Sequence, residues 1–320
     1  VDPSTSLWGQ PGRMTGVFLL AHLFILFYAM ILLFQNAAVW RKFFALHVLV
    51  GMIVSFLHFV PLFQALIVES NGGSTLGNSS LLGTYLLFVI GFAALLIADH
   101  TATWRLRTFG FIGGIFLIIT LFSTDANAAQ LSLGVSIILL GSLALVRIKK
   151  TAWTRRAGFG LLLLLVGGML WTGAMLTVPE SFVRNWFIDV GGPMRITLWD
   201  MALQGIKERP WFGWGPENFS IVSLTYFNSC IGSATCGIGN WSDRAHNIVL
   251  DTAVGSGLLG ILTYLTVFVT TITLLWKQSS KNHYNQLSYL LVIAIFISYF
   301  IQNQTGFDSI VSLYFWMILL

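Results

Sequence analysis

Residues 81–98 read LLGTYLLFVIGFAALLIA, a run without one charged side chain. A bilayer core is crossed by about 20 mostly apolar residues in helical form, range roughly 17–25. The run fits that length. Similar apolar stretches lie near 14–34, 43–60, 108–123, 131–147, 157–178, 248–275, 286–301 and 309–320. Lipid offers the backbone no hydrogen bonds, so such runs must be helices that satisfy their own. The expected fold is all-α, a polytopic transmembrane helix bundle of about nine spans. The first stretch lacks the basic leader and small-residue cleavage site of a signal peptide. The last is cut at Leu320. The sequence therefore reads as a fragment of a longer membrane protein, with material missing at both ends.

Composition points the same way. Of 320 residues, 56% are hydrophobic and 9% charged, whereas a soluble domain carries about 25% charged residues. So few charges cannot solvate a globular surface of this size. The formal charge of +5 would suit nucleic acid until the charges are placed. They then form a topology code, and the expected surroundings are membrane lipids, with no nucleic-acid partner. Basic residues favour the cytoplasmic side of short loops. Arg41 and Lys42 share a loop, and Arg105 and Arg107 lie two loops on. Arg147, Lys149, Lys150, Arg155 and Arg156 lie two loops further, and Lys277 and Lys281 follow with the same parity. These loops hold 11 of the 17 basic residues and one acid, Asp99; the other 11 of 12 acids fall on the opposite side. The 148–156 loop is thus expected inside and residue 1 outside.

The expected organisation is N-terminal transmembrane helices over 1–178, an extracytoplasmic loop over 179–247 and C-terminal transmembrane helices over 248–320. The loop far exceeds the roughly 15 residues above which connections are uncommon and often functional. It holds Arg184, Arg195, Lys207, Arg209 and Arg244; Arg13 is the remaining outward cation. Residues 194–208 read as an amphipathic helix between Pro193 and Pro210. Ile196, Trp199, Ala202, Leu203 and Ile206 share its apolar stripe. Arg195 falls in that stripe and in the first turn, where the helix dipole disfavours a cation, so an anion partner is expected. The plain alternative is an interfacial helix whose Arg snorkels to lipid headgroups. Residues 210–216, PWFGWGP, impose a tight turn whose aromatics suit a membrane interface. Cys230 and Cys236 are the only cysteines; a disulfide between them is left open. No Cys or His cluster supports a metal site.

The loop closes with Ser242-Asp243-Arg244-Ala245-His246-Asn247 and runs straight into an apolar helix. Ser242 or Asp243 is the expected cap, and the first N–H groups then favour anions. Arg244 adds a bidentate fork for phosphate. The dipole disfavours imidazolium, which leaves His246 neutral and a candidate general base. His246 shares a helical face with Ala253, Gly257 and Gly260, a small-residue stripe suited to close helix packing. Arg244, Asn247 and Asp251 lie on another face. Asp251 is more than a turn into the span, where a carboxylate is costly and expected to be paired. A lone interfacial His is more often structural; here Arg, neutral His and a helix N-terminus occur together.

His246-Asn247, nine intervening residues and Gly257-Leu258-Leu259-Gly260 resemble the signature of the O-antigen ligase and polymerase superfamily of bacterial membrane glycosyltransferases. Arg195 with Trp199, then Pro210, Gly213, Gly215 and Phe219, resembles the family's approach to the outer loop. Gly73-Ser74-Thr75-Leu76-Gly77-Asn78 resembles another family stretch. Where many members carry a Ser-Arg-Gly-like stretch, this chain has Thr124-Asp125-Ala126-Asn127-Ala128-Ala129, without the Arg. The resemblance implies a metal-independent transfer needing no cofactor. A glycan would move from a polyprenyl diphosphate carrier to a hydroxyl of a glycan, lipid or protein acceptor, at the outer face of the bacterial cytoplasmic membrane. His246 would be catalytic, with Arg195, Arg244, Asn247, Asp251, Arg184 and Arg13 binding substrate. A repeat-unit polymerase and a protein O-oligosaccharyltransferase are alternatives within the family that differ in acceptor. A lipid-linked-sugar transporter or flippase is the alternative of another class. His22, His47 and His58 in the early spans keep it open, though isolated buried His is usually structural, and the lack of broken or charged helices in matching halves opposes it.

Overall fold

The computed structural model describes residues 1–60, 72–148, 151–191, 193–231, 233, 242–282 and 285–320. Cys236, and with it the question of a disulfide, lies outside them, as do Lys149 and Lys150. Among the described residues there are 13 α-helices, one 3-10 turn (Ser74–Leu76) and no β-strand. The helices are α1 (Pro3–Trp8), α2 (Val17–Leu33), α3 (Ala37–His58), α4 (Ser79–Ala98), α5 (Trp104–Ser123), α6 (Asn127–Arg147) and α7 (Ala152–Thr177). They continue as α8 (Phe182–Gly191), α9 (Pro193–Glu208), α10 (Phe219–Thr225), α11 (Ile248–Lys281), α12 (Gln286–Gln302) and α13 (Ile310–Leu319).

Six of these, α3 to α7 and α11, are long and apolar enough to cross a membrane, and α2, α12 and α13 are shorter apolar helices. Each apolar stretch of the sequence thus coincides with one helix. Asn36, Asn78 and Thr103 start α3, α4 and α5 by accepting the N–H groups of Val39, Ser80 and Leu106, which satisfies donors the helix cannot. Along α7, Leu163, Leu164, Leu170 and Trp171 are all exposed. Such a surface is stable only with lipid as its solvent.

The chain divides into two compact units. One comprises Leu26–Leu162, Thr271–Gln302 and Val311–Leu320. Its central helix is α4, packed by α3, α5, α6 and α12 and buried over most of its length. Small residues admit this packing: a Cβ at Gly51 would lie 2.7 Å from Val89, and one at Gly91 2.4 Å from Ile295. Without a hydrophobic drive between helices in lipid, such close approach supplies the attraction. Phe88 and Phe92 meet Phe315 with ring centroids 5.3 and 5.2 Å apart.

The other unit comprises Val1–Ile25, Leu163–Thr270 and Asn303–Ile310. Its core gathers Leu198, Met201 and Ala202 of α9, Trp214, Phe219 and Val222, and Ala245 with Val254. The buried face of α9 is Leu198, Met201, Ala202 and Gly205, rotated from the stripe read in the sequence; Leu203 of that stripe is exposed. The reason is Gly205. A Cβ there would come within 2.6 Å of Val222, and its carbonyl accepts the Trp214 indole N–H at 2.9 Å. This small residue lets α10 and Trp214 close on α9.

The second departure concerns α11. The sequence implies a continuous span with Gly257 and Gly260 on a packing stripe, but the helix breaks at Gly257, with φ 64° and ψ −164°. The 210–216 turn fills the break. Trp214 N donates to Val254 O at 2.7 Å, and Leu258 N donates to Pro210 O at 2.8 Å. Backbone groups freed inside lipid must find new partners, and the turn provides them. Gly213 makes the fit mutual: at φ 66°, its Cβ would lie 2.4 Å from Val254 O.

Candidate functional site

All the residues below belong to the second unit. The loop 242–247 enters α11 through Asn247. Its Oδ1 accepts N–H bonds from Val249 at 3.0 Å and Leu250 at 3.1 Å, so Asn247 is the cap, rather than Ser242 or Asp243. Ser242 donates its hydroxyl to Arg244 O at 2.8 Å, and Asp243 is taken by Arg13. Asn247 Nδ2 donates to Gln304 O at 3.0 Å, and Ile248 N donates to Asn303 O at 2.8 Å. The start of α11 is thereby tied to residues 303–308. Asp251 reaches back along its helix. Its Oδ1 accepts Ala245 N at 2.6 Å, while Oδ2 is buried without a hydrogen bond.

Arg244 is held by a buried ion pair with Glu217, the two side chains being 13% and 4% exposed. Its Nη2 also donates to Thr15 Oγ1 at 2.8 Å, and the Thr15 hydroxyl donates to the other Glu217 oxygen at 3.0 Å. The carboxylate that pairs with Arg244 is Glu217, while Asp251 is engaged by Ala245 N. Arg244 Nε is buried without a hydrogen bond.

Arg13 grips Asp243 with both Nε and Nη2. Its guanidinium lies over the Phe307 ring, 4.0 Å from the centroid. Phe307 meets His246 edge-on, with centroids 5.1 Å apart and planes at 77°. His246 is half-buried. Among the described residues, neither of its ring nitrogens has a protein hydrogen bond. Burial, then the charges of Arg195 and Arg13, push the imidazole from 6.5 down to about 4, with Asp243 opposing and Arg244 adding to the fall. The neutral ring expected from the helix dipole is thus produced mainly by burial and surrounding arginines. Arg195, in the first turn of α9, has its own pKa lowered by burial.

The structure therefore places Arg13, Arg244, Asn247 and Asp251 about the His246 segment, and the charge of Arg195 acts on the imidazole. Arg184 is placed differently: its Nη1 donates to Leu176 O at 2.9 Å, closing the C-terminal turn of α7, a common use of a basic side chain. Thr15, Glu217, Gln304 and Phe307 were not singled out in the sequence. Backbone conformation marks the same place. Of the five non-glycine residues with positive φ among those described, Met14 (55°), Glu217 (65°) and His246 (55°) lie here. Each such residue costs on the order of 1–3 kcal/mol, and such strain gathers at functional sites.

Chemically, a neutral imidazole without a hydrogen bond from the described residues stands among guanidinium groups, with Arg13 paired to Asp243 and Arg244 to Glu217. Such an arrangement suits an anion, with a proton acceptor beside it. Among the described residues, no three His, Cys, Asp or Glu side chains lie together as a metal site would need.

Residues 112–265 match the family model described as O-Antigen ligase. Over 133 residues, 36% of this chain, the sequence is 29% identical to the General O-oligosaccharyltransferase of Acinetobacter baylyi. The aligned part covers 22% of that relative's length.

Proposed function

From its membership of the O-antigen ligase superfamily, we propose that this bacterial membrane protein moves a glycan from a polyprenyl diphosphate carrier to an acceptor hydroxyl at the outer face of the cytoplasmic membrane. The observation that carries the reading is His246: a neutral imidazole, without a hydrogen bond on either nitrogen from the described residues, acted on by Arg195, Arg13 and Arg244.

In the proposed step the acceptor oxygen attacks the anomeric carbon of the glycan. The bond from that carbon to the diphosphate oxygen breaks, and its electron pair leaves with the diphosphate. His246 takes the acceptor's proton and later releases it to water. Arg13, Arg195 and Arg244 stabilise the charge that develops on the leaving group, the largest contribution in many such reactions. Their arrangement also links binding to basicity. An imidazole near 4 is a weak base for work near neutral pH. A diphosphate among the arginines offsets their charges, which depress the imidazole less than burial does. Asn247 acts as cap and tie, and Asp251 steadies the loop. The relative's name favours transfer of an oligosaccharide as a block to an oxygen acceptor.

The test is transfer from a defined lipid-linked glycan in proteoliposomes. His246→Gln keeps size and hydrogen bonding but is no base near neutral pH. It should lose about 10²–10⁴ in rate while still binding carrier. Transfer at the parent rate would overturn the assignment.

A further inference from the structure

A histidine that works as a base is ordinarily oriented by a hydrogen bond from its second nitrogen to a carboxylate or carbonyl. His246 has no such bond among the described residues. Its backbone, at φ 55°, aims the side chain but leaves the ring's rotation open. What meets the ring is Phe307, edge-on at 5.1 Å. The opposite constraint on Phe307 comes from Arg13, whose guanidinium lies 4.0 Å from the centroid. Arg13 is fixed in turn by its two-pronged grip on Asp243, three residues before His246 in the chain. The segment carrying Phe307 is anchored to the same loop by Asn247 Nδ2 to Gln304 O and Ile248 N to Asn303 O. Asn303 Nδ2 donates to Asp308 Oδ1 at 2.9 Å, which braces the segment from within.

We propose that Phe307 is the positioning residue of this site: its ring, stacked under Arg13, sets the orientation of the His246 imidazole. The inference rests on the reading of His246 as the base. It explains why the His-Asn pair is adjacent. Asn247 holds the segment that brings Phe307 to its neighbour. Arg13 acquires a second role as well, since the cation that faces the anion also clamps the ring.

The orientation of a base matters steeply. Misplacement by about 1 Å costs on the order of 10²-fold in rate. Phe307→Leu keeps an apolar side chain but removes the flat edge and the face beneath Arg13. In proteoliposome transfer, its kcat should fall about 10²-fold with KM for the carrier little changed. Phe307→Tyr keeps the ring and should transfer near the parent rate. Added to His246→Gln, Phe307→Leu should cost almost nothing further, because there is no base left to orient. If Phe307→Leu does not fold, Phe307→Met takes its place with the same expectation. Parent-like kcat in the Leu or Met variant overturns the inference. So does a loss that adds fully to that of His246→Gln, or a loss that Tyr does not rescue. Failure of the underlying reading looks different: His246→Gln would itself transfer at the parent rate.

Discussion

Replacing Gly257 by alanine tests whether the break in α11 holds the outer turn in place. Gly257 lies at φ 64°, ψ −164°, a region open essentially to glycine, and a side chain there costs about 1–3 kcal/mol. The new Cβ would stand 2.3 Å from both C and O of Trp211 and 2.6 Å from Phe212 N. These are backbone atoms and cannot rotate aside, so the turn must retreat. Its retreat loses the bonds of Trp214 N to Val254 O and Leu258 N to Pro210 O, 2.7 and 2.8 Å long. Each is worth a net 0.5–1.5 kcal/mol, roughly, in water. The combined loss is about 2–6 kcal/mol. Thermal unfolding of detergent-solubilised protein reads it directly, with transfer activity alongside. Gly168→Ala on α7 is the control. A Cβ there meets nothing within 4 Å, and alanine in a helix interior gains up to about 1 kcal/mol over glycine. The same substitution should therefore destabilise at 257 and be neutral or stabilising at 168. Equal heat resistance and activity of Gly257→Ala and the parent would refute the argument.

Glu217→Ala leaves Arg244 buried without its partner and should destabilise by about 3–5 kcal/mol; Glu217→Gln should lose less, and a thermal-unfolding loss under ~1 kcal/mol for the alanine variant would contradict a buried pair. The pH dependence follows from His246. Its folded pKa lies below 6.5, at about 4, so the stability linked to its neutral form is complete above about 6.5 and is lost as pH falls toward 4. The acid limb of kcat/KM, which reports the free enzyme, should lie near the lower value, and Arg195→Gln should move it upward by removing a repelling charge; an unmoved limb would assign it to another group. For topology, a cysteine placed at Thr151 in a variant without Cys230 and Cys236 is expected to resist an impermeant thiol reagent in intact cells, and labelling would reverse the orientation.

The helices were legible because lipid leaves an apolar run such as 81–98 one way to satisfy its backbone. The detail at their ends was not. Ser242, Asp243 and Asn247 are all good caps, and local preference does not rank them; Arg13, 230 positions away, takes Asp243 and leaves the capping to Asn247. A Gly-x-x-Gly spacing fits a packing stripe and a broken helix equally, and only the docked turn distinguishes them. Arg195 and Arg244 were conspicuous as cations on an apolar stripe and at a helix start, and the charges of both act on the His246 imidazole. Arg184 had the same outward position, but a carbonyl of its own neighbourhood engages it. Glu217 and Phe307 were invisible for one reason: their partners lie far along the chain, and no local pattern records such a contact.

That distance shapes how the protein comes into being. Chains grow at about 5–20 residues per second, so roughly 15–60 s separate the making of Arg13 from that of Phe307. Contacts between such remote segments form last, after the intervening chain has been ordered. A nascent chain still on the ribosome already holds its arginines and, later, its histidine, but the imidazole has no ring to lie against until residues 303–308 arrive and dock on Asn247. Chains truncated before that segment should insert without completing the centre, which comes together only once residues 303–308 have docked.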